Sequence, residues 1–230
     1  KSSLPGRKSK VRFVTRCSAK PVRYSSIMGL DAGFFRMTAT QLAAGLKKKA
    51  FSAQELLQAS IERIEALDPQ INAVVVRDFE RAKTEARLAD EALARGDQKA
   101  LTGIPMTVKE SFDLRGHATT WGFTFHSEHV AREDALAVQR LKAAGAVVLG
   151  KTNVPPALGD WQSANPIDGR TNNHHDVTRS PGGSSGGSLC RADTGGRMTP
   201  TLALTAPTGV AVMPMRRVIG AAPMCCSPAR

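Results

Sequence analysis

Two short apolar runs, residues 106–108 and 146–150, bracket a helix-forming stretch, and neither alternates apolar with polar positions. Strands that are apolar throughout need cover on both faces, as parallel strands between helix layers have and water-exposed hairpins do not. The order strand, helix, strand therefore predicts a parallel pair in an α/β fold, with helices on both faces of the sheet and chemistry at the strand ends. The linking helix is expected to take Asp134 as its cap, run through Ala144 and close at Gly145.

Upstream the texture is helical. Thr40 precedes a helical stretch that ends at Lys47. Ser52 and Glu55 have the spacing of a capping box, and the helix they open carries Leu57, Ile61 and Ile64 on one face until Asp68-Pro69 ends it. Residues 73–76 read as a strand and residues 79–95 as a charged amphipathic helix stopped by Gly96. These helices form an N-terminal cap packed on a mixed, largely parallel sheet. Residues 151–189, rich in Pro, Asn, Asp and Gly, read as a long irregular loop, and loops of that length in compact domains are usually functional or disordered.

The formal charge of +12 would suit a phosphate-binding protein if it lay on the folded part. It does not. Residues 1–30 hold eight Lys or Arg and no acid, residues 191–230 hold five Arg and one Asp, and the stretch between balances 19 basic against 19 acidic residues. A neutral middle argues against a nucleic-acid partner. The chain thus divides into a basic tail at 1–36, disordered or targeting, a partial domain at 37–189, and an irregular tail at 190–230 without a period of 2 or 3.6. The first 27 residues, rich in Arg, Lys and Ser, fit an organellar transit peptide, or translated sequence ahead of a start at Met28 or Met37. No apolar run approaches the roughly 18 residues of a membrane span, so no membrane partner is expected. Cysteines 17, 190, 225 and 226 form no C-x-x-C pair, which points to reduced thiols and a cytoplasmic setting.

Two places carry chemistry. The run Gly182-Gly-Ser-Ser-Gly-Gly-Ser188 lacks the Lys that a phosphate loop needs after its last Gly. Its glycines would let backbone approach a reacting carbonyl, and its hydroxyls could relay protons. Lys109 follows an apolar strand, where desolvation lowers an amine's pKa, and a neutral lysine amine can act as a general base. Serine with lysine is an established substitute for serine with histidine.

The segments Gly103-Ile-Pro-Met-Thr-Val-Lys-Glu-Ser111, Thr119-Thr-Trp-Gly122, Gly150-Lys-Thr-Asn153, Gly169-Arg-Thr-Asn-Asn173 and Ser180-Pro-Gly-Gly-Ser-Ser-Gly-Gly187 resemble, in this order, the amidase signature family. The resemblance runs from about residue 37 to residue 188 and implies an incomplete amidase signature fold. It also implies a Ser-cisSer-Lys triad. Lys109 matches the lysine, and Ser184 matches the bridging serine, whose preceding peptide bond is cis. Gly182, Gly183, Ser185, Gly186 and Gly187 match the supporting loop. The implied activity is hydrolysis of a carboxamide C–N bond through an acyl-enzyme, on a small-molecule amide, without cofactor or metal and compatible with a homo-oligomer.

The family's nucleophile should follow the bridging serine by about two dozen residues, in a pattern like Asp-x-Gly-Gly-Ser. Counting 24 residues from Ser184 reaches Thr208, the stand-in candidate, without a supporting glycine pair. Asp193-Thr-Gly-Gly-Arg197 imitates the pattern but comes too early and ends in arginine. A shifted reading frame near Ser188 accounts for the lost pattern, the lost periodicity and the excess arginine. The alternative reading is a catalytically inactive amidase-like fragment or pseudoenzyme acting as a binding module. A further branch of the family, the amidotransferase component that amidates aminoacyl-tRNA, carries Cys after the paired threonines. Trp121 stands there instead, which favours a small-molecule amidase. His174-His175 replaces the family's Pro-Trp, and adjacent loop histidines project too differently to share a metal. Glu110 and Ser111 read equally well as partners of the site or as solvent-facing residues.

Overall fold

The computed structural model describes residues 33–188 and 201–202; most of both tails, and Thr208, lie outside these residues. Helix α1, Ala39–Lys47, starts ahead of Thr40, which lies inside it. Thr38 is its cap because Gln41 stands three residues on: the Gln41 N–H donates to Thr38 Oγ1 and the Thr38 N–H to Gln41 Oε1. Helix α2, Ala53–Ile71, is capped by Ser52 and Glu55 as expected. It passes through Pro69 and ends at Asn72 in the left-handed region. So close to the end, proline forfeits a single intrahelical bond, and the last turn still closes through Asn72 N–H to the Asp68 carbonyl. Strand β1, Val74–Arg77, and helix α3, Phe79–Ala94, fall within a residue of expectation. Asp90 of α3 reaches back to accept the Ala53 and Gln54 N–H groups, tying α3 to the positive end of α2.

Strands β2, Pro105–Lys109, and β3, Val147–Thr152, are parallel neighbours, and helix α4, Leu136–Ala143, joins them. Asp134 does not cap α4, whose N-cap is Ala135. Its carboxylate is committed elsewhere, accepting the Arg115 N–H and the Lys142 ammonium. Within the loop that follows β3, Ala164–Asn165 (β4) and Gly169–Arg170 (β5) form a two-stranded antiparallel hairpin. Thr201–Leu202 (β6) adds a short parallel partner to β2, giving the sheet order β1-β3-β2-β6 with β1 antiparallel.

Apolar side chains alternate across this sheet. Val147, Leu149, Val74 and Ile104 pack with α1, α2 and α3, while Met106, Val108 and Val148 pack with Val138 and Leu141 of α4. The mixed sheet thus has helices on both faces, as its unbroken apolar strands require. One irregularity interrupts the alternation. Met106 pairs with Val148, but Thr107 pairs with Gly150, so β3 carries one extra residue there. Only glycine fits at that point, because a Cβ on Gly150 would lie 2.2 Å from the Val76 carbonyl oxygen. No helix among the described residues is long and apolar enough to cross a membrane.

Candidate active site

Lys109 is the last residue of β2 and is 2% exposed. Its amine donates to Ser184 Oγ at 2.8 Å, and burial pushes its pKa below the ordinary lysine value. The contact joins residues 75 positions apart, so it depends on how the loop around Ser184 is seated. The Gly183–Ser184 peptide bond is cis. Past the shifted register, Lys109 stands beside Thr152 of β3, whose hydroxyl lies 2.9 Å from Ser188 Oγ and so fastens the far end of the loop.

The other loop residues are placed by their backbones. The Gly182 N–H donates to Ser180 Oγ, and the Gly186 N–H donates to Ser163 Oγ at 2.8 Å. Gly187 lies against the Ala73 carbonyl oxygen and the Asn153 nitrogen, leaving no space for a Cβ. The Ser185 hydroxyl oxygen is buried without a hydrogen-bond partner among the described residues. Asn153, just beyond β3, donates to Thr171 Oγ1 at 3.0 Å and accepts from Asn165 Nδ2 at 2.8 Å, and Thr171 donates to the Asn72 carbonyl. The Gly150-Lys-Thr-Asn153 and Gly169-Arg-Thr-Asn-Asn173 segments are thereby stitched to one another and to the end of α2.

Glu110 follows Lys109 and so points to the opposite face. Of the two readings that the sequence left open, the solvent-facing one is excluded: Glu110 is 2% exposed and accepts the N–H groups of Thr120 at 2.6 Å and Trp121 at 3.1 Å. Ser111 is partly exposed. Across from Glu110 stands a residue that sequence reasoning missed. Lys151 of β3 is fully buried, donates to the Ala118 carbonyl at 2.6 Å and Thr119 Oγ1 at 2.9 Å, and lies 3.8 Å from Glu110 Oε1. Burial lowers its pKa to about 8 against the opposing pull of Glu110, Asp113 and Asp168. The signal that could have found it is the one used for Lys109, a lysine closing an apolar strand. The Glu110–Lys151 pair moors the loop that carries Trp121 to the strand ends.

His174 is buried with its ring 3.7 Å from that of His175, centroid to centroid. Among the described residues no group of three His, Cys, Asp or Glu side chains is placed to hold a metal ion.

These features sit within a recognisable sequence context. The Amidase family model matches residues 55–189, more than half of the chain. Over 186 residues, 76% of this chain and 38% of the relative, the sequence is 38% identical to one component of the Glutamyl-tRNA(Gln) amidotransferase of Methylococcus capsulatus. The chain therefore spans less than two-fifths of that relative's length. A solved 6-aminohexanoate cyclic dimer hydrolase, complexed with substrate, superposes with a TM-score of 0.62 at 33% identity, covering 70% of this chain and 32% of that one. Fatty acid amide hydrolase, at 24% identity, shares the fold with a TM-score of 0.71 over 76% of this chain and 31% of its own. Five ordered segments meeting at the ends of β2 and β3, and a family model that spans them, lead to one conclusion: the chain belongs to the amidase family.

Proposed function

We propose that the chain carries the lysine and bridging-serine part of a site that hydrolyses the C–N bond of small carboxamides. The observation that carries this reading is the 2.8 Å contact between a buried Lys109 amine and Ser184 Oγ. A hydroxyl both donates and accepts, so the contact reverses when the amine is neutral: Lys109 accepts the Ser184 proton while Ser184 accepts one from an attacking hydroxyl. That hydroxyl would bond to the amide carbonyl carbon, the C–N bond would break as nitrogen takes up a proton, and water would release the acid. Lys109 meets the requirement for a base because desolvation favours its neutral form. Trp121 in place of Cys, and a neutral middle of the chain, support a small amide over an aminoacyl-tRNA substrate.

A second reading, a catalytically silent amidase-like module, is favoured by one sequence fact: no Asp-x-Gly-Gly-Ser follows Ser184, and Thr208 lacks glycine support. A serine-directed fluorophosphonate probe separates the two. The hydrolase reading expects covalent labelling of the purified chain, lost in Lys109→Ala. Absence of labelling in the folded native chain removes the hydrolase reading and leaves the binding module.

A further inference from the structure

We propose that Ser163 is a positioning residue whose hydroxyl holds the glycine-serine loop in the shape that presents Ser184 to Lys109. The proposal rests on the reading of Lys109 and Ser184 as a proton relay.

Ser163 is 1% exposed and lies in the loop after β3, remote in sequence from both relay residues. Its Oγ accepts the Gly186 N–H at 2.8 Å and, 3.5 Å away, faces the Gly182 carbonyl oxygen toward which it donates. One hydroxyl therefore spans the loop on both sides of Ser184. The segment that bears it also forms the seat of the loop: a Cβ on Gly183 would lie 2.5 Å from the Asp160 carbonyl oxygen and 2.6 Å from the Trp161 carbonyl carbon. Ser163 is itself anchored. Its carbonyl accepts the Thr171 N–H at 2.8 Å and Asn153 Nδ2 at 3.4 Å.

Asn153 directly follows β3, and β3 pairs residue by residue with the end of β2 that carries Lys109. The contacts close a ring from Lys109 through β2, β3, Asn153, Ser163 and Gly186 to Ser184, and back to Lys109. The Thr152–Ser188 hydroxyl pair fixes only the far end of the loop, and the Ser180–Gly182 bond lies within it. Apart from the Lys109–Ser184 contact itself, Ser163 alone among these contacts ties the middle of the loop back toward the sheet. Without its hydroxyl the loop relaxes, Ser184 leaves the amine, and water reaches Lys109.

The test follows lysine amines rather than turnover. The full chain and its Ser163→Ala variant are labelled with acetic anhydride across pH, and acetylation of the Lys109 and Lys151 peptides is read by mass spectrometry. In the native chain Lys109 is expected to titrate below 10.5, the ordinary lysine value. In Ser163→Ala its midpoint should move up toward that value while Lys151, on the opposite face, keeps its native midpoint. An unmoved Lys109 midpoint overturns the proposal, and so does a joint shift of both lysines, which is general loosening. A native Lys109 that already titrates at the ordinary value overturns the relay reading, before the variant is considered. Should Ser163→Ala not fold, amide exchange in the native chain decides: Gly186 N–H should be protected, and exchange at open-loop rates overturns the clasp.

Discussion

Lys109 and Lys151 stand at the ends of neighbouring parallel strands, both closed off from water, and they differ in what faces them. Lys151 meets a carboxylate, a carbonyl and a hydroxyl, and its partners also hold the Thr119–Trp121 backbone in place. Among the described residues the Lys109 amine meets a single serine hydroxyl. The difference is not one of proton affinity alone, since burial lowers both, and Lys151 reaches about 8 despite its carboxylate. A carboxylate and a carbonyl beside the Thr119 hydroxyl pin the Lys151 ammonium in place and make a mooring. A hydroxyl that both gives and receives, with no such counter-charge beside it, makes a relay.

The contrast breaks most readily at Lys109. Lys109→Ala should cut any amide hydrolysis by a factor of about 10² to 10⁴, the usual worth of a positioned general base, with the melting midpoint nearly kept. A parallel steady-state assay and thermal melt check both halves, and an equal loss of activity and stability would erase the distinction. On the other face the effect should reverse. Glu110→Ala leaves a buried ammonium without its counter-charge and removes the acceptor of two N–H groups, so unfolding in urea should show a loss of about 3–5 kcal/mol.

Proton linkage sharpens the same comparison. Lys151 has a folded pKa below its unfolded value of 10.5, so between about pH 8 and about pH 10.5 the unfolded chain binds more protons than the folded one. Stability should therefore rise with pH across that window, by at most about 1.4 kcal/mol per pH unit from this one group, and be flat below it. Lys109 adds a slope of the same sign, because its pKa is also lowered. Chemical denaturation at several pH values should show Lys151→Met flattening most of the rise. The smallest effect is expected at a distance. Ser52→Ala removes the cap of α2 and should cost about 1 kcal/mol, leaving the titration of both lysines unchanged by amine labelling.

Signals confined to neighbouring residues were legible in the sequence. The Ser52–Glu55 cap, the unbroken apolar strands and the layering they force, and the position of Lys109 at a strand end all depend on short stretches of chain. What sequence reading missed are choices between competing partners. Asp134 has the residue type of a helix cap, but Arg115 and Lys142 hold its carboxylate, and nothing local to residue 134 reveals them. Asp68-Pro69 looks like a stop, yet a proline so near a helix end gives up too little to end it sooner. Glu110 could not be placed because its burial depends on the loop at 118–121, which folds over it from outside the strand. Lys151 resembles any lysine beside a turn until the same loop closes above it.

The extra residue at Gly150 sets how the two amines relate. With an unbroken register, Val108 would face Gly150 and Lys109 would face Lys151, side by side on one surface of the sheet. Two ammonium groups a strand spacing apart in a dry interior would titrate as a coupled pair, the first proton leaving early and the second held late. The bulge turns them to opposite surfaces, so each lysine keeps its own protonation equilibrium. A one-residue slip of β3 that absorbed the bulge would put both amines on one titration curve.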